Sequence, residues 1–308
     1  MSTYPGMGDC PWPSIRKIVQ LNGNYNMQPL RRITFMKRGA DMIELPEAHV
    51  LAEQINQSLV GRTIHNAAAN AHPHAFAWYT GDPAAYGAML SGKKISSAYN
   101  VASCVNILCD DMLLEISTPI KCHEAGEKLP KSHQLLLEFG DGSHISCTVQ
   151  MWGSIFCTPY AGRPKQTQEP SPLTDDFNET YFDNLINSVK PSMSTKAFLA
   201  TEQRIPGLGN GVLQDVLFNA GLHPKRKLET MGDDDRQRLF SSLKSTLKEM
   251  TDHGGRDTEK DLFGRNGGYV TILSKNTLPY PCGVCGSGLV RQAFLGGNIY
   301  FCPTCQPL

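Results

Sequence analysis

Hydrophobic positions recur at two different periods along this chain, and the change of period divides it. Residues 1–41 hold to neither, with Pro, Gly and Asn scattered through them, and are expected to be a disordered extension. From Pro46 the spacing becomes helical: Ala48, Ala52, Ile55 and Leu59 fall at three- and four-residue steps, predicting an amphipathic helix that closes at Gly61. Proline in its first turn suits that start. Residues 62–160 then read as short strands in "RTIHNAAAN", "KKISSAYNVASCVNILC", "DMLLEIS" and "HQLLLEFGDGSHISCTV". Asp141-Gly142 between two apolar runs predicts a hairpin, and repeated hairpins at this spacing predict an antiparallel sandwich or barrel. "TPYAGRPKQTQEPSPLTDD" is the linker, placed over 161–174. Beyond it the period is helical again, through Tyr181, Phe182, Leu185, Ile186 and Val189. "STKAFLATEQ" and "NGVLQDVLFNAG" predict two more helices around the tight turn "RIPGLGN", and Leu239, Phe240, Leu243, Leu247 and Met250 a fourth. No internal repeat is visible. From Pro281 the chain is short, turn-rich and cysteine-bearing.

Composition changes this picture in three places. A length of 308 residues suits two domains, each with its own core. Lys+Arg 29 against Asp+Glu 29 counts against a nucleic-acid binder, although zero net charge leaves room for a local basic face. No apolar run reaches the length of a membrane span and no signal-peptide core opens the chain, so a cytoplasmic protein is expected. Of ten cysteines, four form two Cys-x-x-Cys pairs, which in a reducing compartment means metal.

Those pairs are the strongest chemical signal. Cys282 and Cys285, then sixteen residues, then Cys302 and Cys305 put two thiolates on each of two tight turns of a hairpin. Four soft ligands complete a tetrahedron, so one structural zinc is expected. It supplies the stability that so small a ribbon lacks. In "IPGLGNGVLQDVLFNAGLHP" the glycines expose backbone N–H groups at a helix N-terminus, which suits a phosphate, and Asn210 is placed as N-cap. A plain helix–turn–helix corner needing close approach is the other reading. The basic "HPKRKLE" that follows is most simply a solvated loop. In "IELPE", Glu44 and Glu47 stand just ahead of and within a first helical turn, where capping alone explains carboxylates. The histidines of "AHPHAFAWYTGDP" lack a third ligand and read as a packed strand end.

Taken in order, "ELPE", "DDFNETYFDNLI", "GLGNGVLQDVLFNAGLHP", "HGGRDTEKD" and "PCGVCG…YFCPTCQ" resemble the formamidopyrimidine-DNA glycosylase and endonuclease VIII family, from Ile43 to Gln306. The resemblance implies an α+β fold. An N-terminal antiparallel β-sandwich with a flanking helix (42–160) would precede a helix–two-turn–helix domain (175–280) with a zinc-ribbon hairpin (281–308). It implies a monomeric clamp on duplex DNA carrying a damaged base or abasic site, with the target nucleotide flipped out. An amino-terminal amine attacks the sugar carbon, releases the base and nicks the strand through a Schiff base. By position, Glu44 shuttles protons at the sugar and Glu47 supports the pocket. Gly209, Asn210 and Tyr269 match contacts to the DNA backbone, and Met151 and Trp152 stand as wedges between base steps.

The chain departs from that pattern where chemistry is concentrated. Ile43 replaces the nucleophilic proline, and Ser103 the pocket lysine, with Lys93, Lys94 and Lys121 nearest in sequence. Gly297 replaces the arginine of the zinc hairpin, "TVQMWG" the Asp-Pro-Arg-Arg-Phe-Gly loop, and Pro119 stands near the second wedge methionine. "KRGADM" reverse-translates to permit a purine-rich ribosome-binding site, so Met42 is the expected native start, with 1–41 as upstream translated sequence. The free amine would then lie on Met42, or on Ile43 after trimming. Three functions follow: a DNA glycosylase with abasic-site lyase activity, a paralogue that grips damaged DNA without cutting it, and a zinc-ribbon protein binding RNA or protein. A DNA-bound protein would sit on the nucleoid.

Overall fold

The computed structural model describes residues 43–150, 153–161, 169–201 and 204–308. Residues 1–42, and with them the extension and the Met42 start, lie outside the described residues, as do Met151, Trp152 and residues 162–168 of the linker.

Helix α1 (Leu45–Ser58) forms where the three- and four-residue spacing predicts it. Pro46 lies in its first turn, extended Glu44 is its N-cap, and the chain leaves through Gly61 at φ +89°. Strands β1 (Ile64–Ala69), β2 (Ala77–Tyr79), β3 (Ile95–Val101), β4 (Cys104–Cys109) and β5 (Met112–Ile116) follow, with a short α2 (Tyr86–Leu90) before β3. β6 (Ile120–His123), β7 (Leu135–Phe139), β8 (His144–Cys147) and β9 (Gly153–Pro159) complete the set. They make two facing sheets, ordered β1-β7-β8-β6 and β2-β9-β5-β4-β3. The hairpin at Asp141-Gly142 is present: Gly142 has φ +79° and donates to Phe139 O at 3.0 Å, while Asp141 accepts from the Ser143 N–H.

Two expectations need correction. The sandwich is not wholly antiparallel, because β2 pairs parallel with β9, Ala77 opposite Gly153. β2 is only three residues long and sits at a sheet edge, where half a ladder suffices. "STKAFLATEQ" is not a regular α-helix either: Ala197–Thr201 form a π turn. The Ala197 carbonyl accepts from the Thr201 hydroxyl at 2.6 Å and from Arg204 Nη1 at 3.3 Å, which draws it away from the helical ladder.

The other helices are α3 (Glu179–Asn187), capped by Asn178 on the Tyr181 N–H, α4 (Val212–Asn219) and α5 (Asp233–Asp252). Phe177, Phe182 and Phe198 pack with Val216, Leu217, Leu243 and Leu247 into a second core. Helix α1 belongs to both cores. Leu51, Ala52 and Ile55 enter the sandwich, while Leu45 enters the helical core. Leu262, far along the chain, returns the exchange by packing in the sandwich and accepting from the Cys122 N–H at 2.7 Å.

The C-terminal hairpin, β10 (Val290–Phe294) and β11 (Gly297–Phe301), docks through buried amides. Gln214 bonds Asn298 O and the Tyr300 N–H, extending the β11 edge with a side chain. Gln306 bridges the Cys302 N–H and Leu222 O.

Candidate active site and metal centre

The four cysteines converge as their spacing predicts. The sulfur atoms of Cys282, Cys285, Cys302 and Cys305 all lie within 4.8 Å of one another, with 3.8 Å between Cys282 and Cys305 and 3.4 Å between Cys285 and Cys302. This cluster is able to hold a metal ion. Hydrogen bonds from the Ser287 side chain and backbone lower the Cys285 thiol, the direction that favours a metal-binding thiolate.

The second centre lies where the N-termini of α1 and α4 meet. Leu45 donates to Gly207 O at 2.9 Å, bringing the start of α1 against the glycine turn. The Glu44 carboxylate then accepts three backbone N–H groups of that turn: Gly211 at 2.8 Å, Val212 at 2.9 Å and Gly209 at 3.1 Å. Glu44 therefore caps α4 from 165 residues away. This corrects the expectation of an open phosphate nest with Asn210 as N-cap, because a carboxylate of the chain itself fills the nest. Gly211 is the N-cap residue, and Asn210 turns the other way, its Nδ2 donating to Asn298 O at 3.0 Å. Asn210 Oδ1 is buried without a hydrogen-bond partner among the described residues.

Glu47, one turn into α1, is 3 % exposed and faces Arg256, also 3 % exposed. Arg256 Nε and Nη2 donate to its two oxygens, each at 2.9 Å, and the Arg256 N–H adds a bond at 3.3 Å. Burial alone would push the Glu47 carboxyl up, but the Arg256 charge and hydrogen bonds outweigh it and hold it below the ordinary value. Arg256 Nη1 points on to Glu44 Oε1 at 3.7 Å. A Cβ at Gly209 would fall 2.4 Å from Glu44 Cδ, and one at Gly211 1.8 Å from Arg256 Nη1. Gly209 and Gly211 of "GLGNG" are spaces for these side chains.

The remaining expected positions divide. Ile43 is buried in the sandwich core. Ser103 lies on the β3–β4 turn, its N–H 2.8 Å from where a Cβ at Gly207 would sit, so it does border the junction. Lys93 and Lys94 stand before the opposite end of β3, about 20 Å away at strand rise. Lys93 is paired with Asp111 at 2.6 Å and Lys121 with Glu127 at 2.6 Å. Tyr269 is no surface contact: its ring packs in the helical core, 5 % exposed, where burial and then the Asp215 charge push its hydroxyl up. An open groove of about 400 Å³, lined by Arg62, His65, Phe139 and Asp141, lies at the end of the sandwich marked by the β7–β8 turn and involves none of these residues.

Two residues at this junction were not signalled by the sequence pattern. Arg256 is one, since its partners lie 209 residues upstream. Lys196 is the other. It is 3 % exposed, burial lowers its ammonium to about 8, and Nζ donates to Phe294 O at 2.7 Å. A Cβ at Gly297 would lie 3.5 Å from Lys196 Nζ and 3.5 Å from Asn210 Oδ1.

No protein-family profile matches the chain. Along nearly its whole described length it is similar to the formamidopyrimidine-DNA glycosylase of Brevibacillus brevis, 25 % identical over 279 residues, covering 86 % of this chain and 99 % of that protein. Its fold is similar to that of Lactococcus lactis Fpg in complex with DNA containing N7-benzyl-Fapy-dG, with TM-score 0.74 and 22 % identity over 86 % of this chain and 100 % of the other. The same enzyme bound to abasic-site DNA aligns with TM-score 0.72, 22 % identity and the same coverage.

Proposed function

This chain is a divergent member of the formamidopyrimidine-DNA glycosylase and endonuclease VIII family, and from that premise we propose that it is a base-excision repair DNA glycosylase with abasic-site lyase activity. The observation that carries the reading is Glu44, a carboxylate fixed by three N–H groups where the sandwich, α1 and α4 meet. A duplex lying across that junction would present a flipped sugar to Glu44. Named relatives support the substrate: the Lactococcus lactis enzyme is seen with damaged and abasic DNA.

In this reading Glu44, an acceptor toward the protein, is held ready to stabilise the cationic sugar as the base departs and to take up its proton. An unprotonated amine supplies the nucleophile. Gly209 and Asn210 shape the turn beneath the backbone of the DNA, Tyr269 stiffens it from within the core, and Met151 and Trp152 enter the stack. Cys282, Cys285, Cys302 and Cys305 would hold one zinc ion, which would serve as a structural support of the hairpin, and no step passes through it. The enzyme works as a cytoplasmic monomer on the nucleoid; no helix among the described residues is long and apolar enough to cross a membrane. The domain limits follow the same reading, with sandwich 42–160, linker 161–174, helical domain 175–280 and ribbon 281–308.

Burial of the Ile43 side chain and the ion pairs of Lys93 and Lys121 favour a second reading, a paralogue that grips abasic DNA without cleaving it. Borohydride trapping on abasic-site duplex separates the two. A chain starting at Met42 is expected to trap, and better than the 308-residue chain, while Glu44→Gln suppresses base release and spares binding. If neither form traps and Glu44→Gln changes nothing, the binding paralogue is the correct reading.

A further inference from the structure

We propose that Arg256 is a positioning residue: it holds Glu44 in place through its charge while Glu47 holds Arg256. The inference rests on reading Glu44 as the carboxylate of the site. Its basis is geometric. A guanidinium has five N–H donors in a fixed plane, and Glu47 takes the Nε and Nη2 edge as a fork at 2.9 Å for each bond. That fork leaves Nη1 aimed at Glu44 Oε1, 3.7 Å away. Glu259 lies at 3.9 Å on the outer side, so the buried cation is shared and not private to Glu47.

Without Arg256 the junction would hold two carboxylates near each other with no cation between them, since the same guanidinium reaches Glu47 Oε2 at 2.9 Å and Glu44 Oε1 at 3.7 Å. Like charges at that separation in a water-poor seam repel strongly, and the more exposed of the two, Glu44, would move. Arg256 removes that push and adds a pull. Gly211 is shaped to the arrangement, because any side chain there would displace Nη1. The backbone is also fixed: Arg256 pairs with Tyr269 in a parallel bridge, and a Cβ at Gly267 would fall 2.1 Å from Gly255 O. Arg256 therefore arrives on a rigid turn, as a residue that orients another must. Glu47 takes on a definite role as the anchor that aims the guanidinium.

The test uses the full chain with Arg256→Gln, Arg256→Lys and, as a stability-matched comparison, Leu247→Ala in the helical core. Amide hydrogen exchange at Gly209, Gly211 and Val212 reports directly on whether Glu44 still occupies the turn. Arg256→Gln is expected to speed exchange at these three about 10-fold or more beyond the α5 core amides, and Arg256→Lys to restore part of the protection. Leu247→Ala should raise exchange at all of them together. On duplex DNA with a damaged base, Arg256→Gln should slow single-turnover base release on the order of 10²-fold with Kd changed less than about threefold, as misplacement of a catalytic group does. Arg256→Lys should recover part of the rate. Exchange at the three amides that rises no more than in α5, or a loss of rate that merely tracks stability as in Leu247→Ala, overturns the proposal. If neither the 308-residue chain nor a chain starting at Met42 releases base from any lesion, the repair reading fails, while the exchange comparison still decides whether Arg256 holds Glu44.

Discussion

A methyl group at Gly211 would meet Arg256 Nη1 at 1.8 Å, and neither partner has room to withdraw, since the guanidinium is clamped to Glu47 and the turn to Glu44. Gly211→Ala is therefore expected to cost about 1–3 kcal/mol by overpacking, measured by urea unfolding. Val212→Ala next door should lose only packing. Asp215 makes a second prediction at this scale. It accepts the Ile272 and Leu273 N–H groups at 2.9 and 2.8 Å, yet burial raises its carboxyl to about 6. The folded chain thus holds this proton more tightly than the unfolded chain, whose Asp titrates near 4. Its contribution to stability is complete below about 4 and is lost as pH rises through about 6. Glu47, held low, has the opposite sign and loses its contribution only as pH falls below the ordinary carboxylate range. Subtracting the stability curve of Asp215→Asn from that of the wild type should show the decline between pH 4 and 6; a flat difference would refute it. Glu44 and Glu47 were legible because their place before and within a first turn is a local pattern. The role of Arg256 was not, because although it stands in "HGGRDTEKD", nothing local there points to partners 209 residues upstream.

At the scale of elements, legibility followed the ratio of local to distant determinants. Helices α1, α3, α4 and α5 announce themselves through spacing, and the β7–β8 hairpin through Asp141-Gly142. β2 and β6 do not, being three and four residues long and defined by the neighbours that pair with them. The N-cap of α4 was misread for the same reason: its capping group comes from the other end of the fold. The zinc hairpin stands at the local extreme. Cys285→Ser is expected to abolish stoichiometric zinc and loosen β10 and β11, checked by metal analysis and by exchange of the Ile299 and Phe301 amides. Its tip offers a finer test. Leu295 has φ +48° and Gly296 φ +79°, a two-residue connection with both central residues left-handed, and Leu295 is exposed. Asparagine tolerates that backbone better than leucine does, so Leu295→Asn should stabilise the hairpin by about 1 kcal/mol, seen as slower zinc release to a chelator.

At the scale of the whole molecule, the equal count of 29 cations and 29 anions weighs against nucleic acid until one asks which cations are free. Among the described residues many are not. Lys93, Lys121 and Lys248 pair with Asp111, Glu127 and Asp252; Arg62 pairs with Asp141 and Arg265 with Asp261; Arg226 and Arg238 share Asp235. Arg256 is consumed inside the junction, and Gly297 brings no charge to the tip of the ribbon. A duplex held against this seam would be gripped by shape, backbone amides and a few basic side chains such as those of Lys225 and Lys227, with little displacement of counterions. Each neutralised phosphate contributes about −0.9 to the slope of log K against log salt, so two to four contacts predict a slope between roughly −2 and −4. Fluorescence anisotropy on an abasic-site duplex across a range of potassium chloride concentrations measures it. A slope near −7, which would need some eight phosphate contacts at about −0.9 each, would show that DNA lies on a strongly basic face elsewhere and not across the Glu44 junction.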